Sequence, residues 1–201
     1  MEVDPLEIVE TTTAETPAHR RNARLNAMVA VTVAVLATFM GICKVKDDNI
    51  VQGMQQAQAD KLDAWSYYQA RNIRQDIATA TVEQLRLGRL GRSGAEAAAY
   101  DASIARYEEI AKSQEAKKSA LKADAEKAQK TYDALNFRDD QFDLSDAALA
   151  IAIALLAVTA LTHLWWLFWL ALLPTGFGLV MGIAGLTGLP IHPDALVRLL
   201  T

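Results

Sequence analysis

The chain has 201 residues, of which 52% are hydrophobic and 22% charged, and a formal net charge of -4. Those averages blend two chemistries: formal charge is absent from the 19 residues 25–43 and the 47 residues 147–193, and dense between them. Ionised side chains are costly in hydrocarbon, so the pattern excludes a single water-soluble globule, and the near balance of 16 basic and 17 acidic residues over 44–143 gives no electrostatic footing for nucleic acid.

Residues 1–19 read as a disordered acidic tail, with Glu2, Asp4, Glu7, Glu10 and Glu15, two prolines and a Thr run. Residues 20–43 follow as a first transmembrane helix, flanked by Arg20, Arg21 and Arg24. Cys43, the only cysteine, cannot make an internal disulfide. Ile42 stands where a lipoprotein would have a small residue, and no small-x-small cleavage site follows the apolar run. Within this span Ala23, Ala27, Ala30, Ala34, Ala37 and Gly41 recur at four and three spacing, a stripe suited to close helix contact within the chain or between copies.

The charged segment 44–143 reads as an antiparallel helical hairpin. In its second arm Tyr100, Ile104, Tyr107, Ala111, Gln114, Lys118, Leu121, Ala125, Ala128, Tyr132, Leu135, Asp139 and Phe142 alternate at three and four spacing, the pattern of a coiled coil. Lys122, Glu126 and Lys130 form a supporting ladder at i,i+4. The first arm places Met54, Ala57, Leu62, Trp65, Ile73, Ile77 and Ala80 near one face. The turn falls at 88–94, where three glycines precede a capping box of Ser93 and Glu96. Lys44, Lys46, Asp47 and Asp48 on one side and Arg138, Asp139, Asp140, Asp143 and Asp146 on the other mark where water begins and can pair across the junction.

Residues 144–163 and 164–189 read as the second and third transmembrane helices, turning near His163, Leu164, Trp165 and Trp166, where indoles favour the membrane boundary. Pro174 and Gly176 should kink the third span, Gly178, Gly182 and Gly185 offer a second small-residue face, and 190–201 form a short tail. The expected fold class is therefore an all-α membrane protein, with three transmembrane helices and a long antiparallel helical (coiled-coil) hairpin between the first and second. Three arginines before the first span and two lysines after it place the N-terminus in the cytoplasm and the hairpin in the periplasm.

The run from Asp63 to Arg74, with Trp65, Tyr68, Gln69, Ala70 and Arg71, resembles the signature of a bacterial membrane family, the domain of unknown function 4337. The resemblance extends over roughly Arg20 to Leu189 and implies the same order: one span, two long helices, two spans. It also implies a bacterial inner-membrane setting, with no reaction attached. Members of that family often carry a basic cluster between the last two spans, where this chain has Thr162-His163-Leu164.

Little in the sequence suggests catalysis. His19, His163 and His192 lack ligand-type neighbours at metal spacing, so no metal or other cofactor is expected. The glycines near Gly88 lack the Lys-Ser/Thr of a phosphate loop, and no nucleophile motif or charged residue interrupts the spans. The most suggestive cluster is Trp65, Tyr68, Gln69 and Arg71, a candidate docking patch unless these side chains pack against the opposite arm. The small residues Ala30, Ala34, Ala37, Gly41, Gly178 and Gly182 are candidates for membrane packing. The expected role is a non-enzymatic structural or interaction protein, with the lipid bilayer and a protein partner or a second copy as its contacts and no nucleic acid. An accessory subunit of a larger membrane enzyme complex, or a sensor with an extracytoplasmic hairpin, stands as the alternative.

Overall fold

The computed structural model describes residues 17–191 and 193, so the acidic tail before Pro17 and most of the C-terminal tail lie outside the described residues. Among the described residues there are three α-helices and no strand: α1 (Pro17–Arg89), α2 (Gly94–Thr162) and α3 (Trp165–Thr187). By length and composition all three are apolar enough to cross a membrane. The chain divides into two compact units, one from the described parts of Met1–Ile50 and Phe137–Thr201, the other Val51–Asn136.

The first unit contains part of α1, part of α2 and all of α3. Its core is assembled from Leu25, Val29 and Leu36 of α1, Leu149, Ala152 and Leu156 of α2, and Phe168 and Ala171 of α3. Close approach depends on α3 glycines. A Cβ at Gly178 would lie 2.7 Å from Leu149 Cγ, and one at Gly182 would lie 2.6 Å from Phe39 Cε1. Ser145 uses the space by donating its hydroxyl to the Gly178 carbonyl at 2.8 Å.

Threonine hydroxyls in these apolar stretches are satisfied locally. Thr32, Thr38, Thr159 and Thr175 each return a hydroxyl hydrogen bond to the carbonyl four residues earlier, so no distant partner is needed. The α2–α3 turn falls where the aromatic cluster placed it. His163 adopts φ 54° and donates its N–H to the Thr159 carbonyl at 2.8 Å. At the other end of α3, Gly188 (φ 74°) closes the helix onto Ala184, and two α2 side chains reach carbonyls in its last turn and just beyond it. Gln141 Nε2 donates to Leu189 and Ile191, and Arg138 donates to Gly185.

The small-residue stripe of α1 does not serve this packing. Ala30, Ala34, Ala37 and Gly41 are exposed, and a Cβ at Gly41 would meet nothing within 4 Å. Leu25, Val29, Leu36 and Cys43 occupy the covered face instead. Large aliphatic side chains fill more of the interhelical volume than alanine does, and the third helix supplies the glycines that make room for them.

In the second unit, α1 and α2 run antiparallel. Leu135 packs on Gly53, Lys61 donates to Gln129, Arg71 to Gln114, and Arg89 grips Asp101 with Nε at 2.9 Å. Gly91 (φ 75°) and Gly94 (φ 64°) make the reversal between them in a left-handed conformation that side chains other than glycine resist. The expected Ser93–Glu96 box is replaced: Glu96 pairs with Arg92, which also donates to the Gly88 carbonyl and so covers the end of α1. Arginine reaches farther than serine, so one side chain serves both helix ends.

Every seam position expected on α2, from Tyr100 to Leu135, is buried or half-buried. The face expected on α1 is met only in part, at the buried Ala57 and the half-buried Met54. Leu62, Ile73 and Ile77 are 56%, 59% and 60% exposed, and the buried residues are Ala57, Ala64, Ala78 and Val82. Small side chains let the two backbones come close, and the polar side chains of Arg71, Asn72 and Gln75 then reach α2 from the same face.

Candidate functional site

Two clusters carry polar chemistry, one in each unit. In the first unit Asp139, Asp143 and Asp146 are spaced four and three along α2, so their carboxyls share a helix face. Asp47 of α1 is nearly enclosed, with 5% of its surface exposed. Its Oδ2 accepts a hydrogen bond from Lys44 at 2.8 Å, and Lys44 lies 3.6 Å from Asp48 as well. Its Oδ1 has no hydrogen-bond donor. A cavity of about 30 Å³ lies beside it, lined by Cys43, Lys44, Asp47, Asp143, Ser145 and Asp146 among others.

The electrostatics follow from that crowding. Burial, then the adjoining Asp47 carboxyl and the neighbouring Asp143 and Asp140, push Asp139 up to about 7. Asp143 is raised for the same reasons, burial first and Asp47 next. Lys44 is held above its ordinary value by its hydrogen bond to Asp47. The pairing across the junction expected from the sequence gives way here. Lys44 stays on its own helix, and Arg138 turns to the Gly185 carbonyl.

In the second unit the four residues of the docking cluster diverge. Arg71 donates to Gln114 at 3.2 Å, and Tyr68 lies beneath the Lys118 ammonium at 5.7 Å, so both face α2. Trp65 packs edge-on to Tyr68 at 5.3 Å and remains 37% exposed, while Gln69 is exposed. Lys118 is the hub of this region, donating to Asn72 and Gln75 and pairing with Glu115 at 2.9 Å. The Glu115 contact raises Lys118 and lowers Glu115. Around Trp65, the outward side of α1 adds Leu62, Tyr67, Ile73, Ile77 and Leu87, all more than half exposed.

The sequence reading missed the Asp47–Asp139 contact and the capping by Gln141 and Arg138. The three and four spacing of Asp139, Asp143 and Asp146 was the available signal for the first; nothing local announces the second. No group of three or more His, Cys, Asp or Glu able to hold a metal occurs among the described residues.

No curated protein and no solved structure matches the chain. A family model does, over residues 25–188, which take in all three apolar stretches and the whole of the helix pair. With that match spanning most of its length, the chain belongs to the family described as Domain of unknown function (DUF4337).

Proposed function

We propose that this chain is a multi-pass membrane protein of the bacterial inner membrane with no catalysis of its own, and that its antiparallel helix pair is an adhesive surface for another protein or a second copy. The observation that carries the reading is an inversion of burial in the second unit. Along α1 the buried face is mostly alanine, whereas Leu62, Trp65, Ile73, Ile77 and Leu87 face outward. Leu62, Ile73 and the intervening Ser66 and Gln69 share that outward face at helical spacing, and Ile77 and Leu87 continue it. A helix in water that exposes larger apolar groups than it buries presents a binding face.

The membrane assignment draws on the first unit by itself. Val31, Val35, Leu161, Trp169 and Leu173 are between 59% and 84% exposed there, a surface suited to lipid rather than to water. The charged residues of that unit lie outside the stretches 25–43 and 147–187.

Replacing Ile73 and Ile77 together with Asp tests the docking face, because both are exposed and neither supports the helix pair. The doubly substituted chain is expected to insert into membranes normally, and to lose its cross-linked neighbours in native membrane extracts. Neighbours and complex size unchanged from the parent would refute the reading. Recovery of cofactor-bearing chains alongside the parent would identify it as an accessory subunit of a membrane enzyme.

A further inference from the structure

We propose that Asp47 and Asp139 form a proton-binding site, in which one hydrogen is held between two carboxyls on neighbouring helices at neutral pH. Asp47 is 5% exposed, and its Oδ1 is enclosed without a donor. A buried carboxylate oxygen with no donor is costly, and such an atom in a folded protein calls for a proton, an ion or a water. The carboxyl of Asp139 lies within hydrogen-bonding reach of the Asp47 side chain, whose Oδ2 is already held by Lys44. Two ionised carboxylates are both acceptors, so this contact repels as long as both are charged. One proton converts it into a hydrogen bond from Asp139 to Asp47, for which Oδ1 is the oxygen left without a donor.

The surroundings leave few other ways to neutralise the pair. On α1 the nearby groups are Cys43, Lys44 and Asp48, and the Lys44 ammonium is already taken by Asp47 Oδ2 and Asp48. On α2 they are Arg138, Asp140, Asp143 and Asp146. Arg138 gives Nε and Nη2 to the Gly185 carbonyl, and Asp143, like Asp140, adds negative charge that favours proton uptake at Asp139. The helix α3 carries no titratable side chain. Among the described residues no set of ligands fits a metal ion. The high proton affinity of Asp139, up at about 7, agrees with the geometry. Protonated, the site ties α1 to α2; deprotonated, it sets two like charges between them.

The test is an infrared titration of the full chain in lipid nanodiscs, following the carbonyl band that only a protonated carboxyl shows. One such band is expected at about pH 6 and should be lost by about pH 8. Asp139→Asn should abolish it, and Asp47→Asn should lower its midpoint by roughly one pH unit or more, a tenfold loss of proton affinity. The midpoint should stay where it is when sodium is exchanged for choline. Absence of a titrating band, survival of the band in Asp139→Asn, an unmoved midpoint in Asp47→Asn, or a midpoint that follows sodium would each overturn the proposal; the last would assign the site to a cation and a missing band to a water.

Discussion

Substituting alanine at Gly178 should loosen the three-helix unit, and the cost can be worked from the contacts. The new Cβ would sit 2.7 Å from Leu149 Cγ, 2.8 Å from its Cδ2 and 3.1 Å from the backbone oxygen of Ser145. Carbon atoms pack comfortably at about 3.5–4.0 Å, so roughly 1 Å must be found. Leu149 Cγ is a branch point close to the backbone, and the Ser145 oxygen belongs to it, so the room comes from separating α2 and α3. Overpacking of this kind costs about 1–3 kcal/mol. The same displacement stretches the 2.8 Å bond from Ser145 to the Gly178 carbonyl, a further loss of about 1 kcal/mol. Gly176 is the control, because a Cβ there meets nothing within 4 Å and alanine favours a helix by up to about 1 kcal/mol. Equilibrium unfolding in mixed micelles, followed by circular dichroism, should place Gly178→Ala about 2–4 kcal/mol below the parent and Gly176→Ala at or above it. A Gly178→Ala chain as stable as the parent would refute the packing argument.

Further expectations follow from the polar contacts. Because Asp139 has its pKa raised to about 7 from the ordinary carboxyl value of 3.8, the folded chain holds more protons than the unfolded one between those limits. Stability in detergent should therefore fall as pH rises through that window and level off above it, the drop moderated by solvent screening at a half-exposed site; melting temperatures of Asp139→Asn should lack this slope. Removing the Gln141 amide with Gln141→Ala deprives the Leu189 and Ile191 carbonyls of their donor, and amide hydrogen exchange near residues 186–191 should quicken while the rest of α3 is unchanged. Arg71→Ala leaves the 9% exposed Gln114 without that partner and should weaken the helix pair by about 1–2 kcal/mol in denaturant unfolding.

Much of this architecture was legible because it follows from free energies that act locally. Freedom from charge over 25–43 and 147–193 marks the apolar stretches, and the glycines at 88–94 mark the reversal. The α2 seam from Tyr100 to Leu135 was readable because its polar exceptions, Gln114 and Lys118, are long enough to hydrogen-bond across the pair while staying in register. The covered face of α1 was readable only in part, at Ala57. Leu62, Ile73 and Ile77 carry the stronger hydrophobic signal, but α2 selects Ala57, Ala64 and Ala78, whose small size permits close backbones. Periodicity identifies an apolar face without saying which neighbour covers it. The Asp47–Asp139 contact and the capping of α3 by Gln141 join residues about 90 and 50 positions apart, and only the folded arrangement of three helices brings them together.

On the proposed membrane assignment, lipid surrounds the three-helix unit and water surrounds the helix pair. Spin labels placed one at a time at Val31, Val158 and Leu173, and at Arg74 and Glu83, in full chains reconstituted into bilayers, test it directly, since all five positions are exposed or half-exposed in their units. The first three labels should collide freely with oxygen and be shielded from a water-soluble nickel chelate, and the last two should show the reverse. Equal access of the chelate to Val31 or Leu173 and to Arg74 would contradict the account.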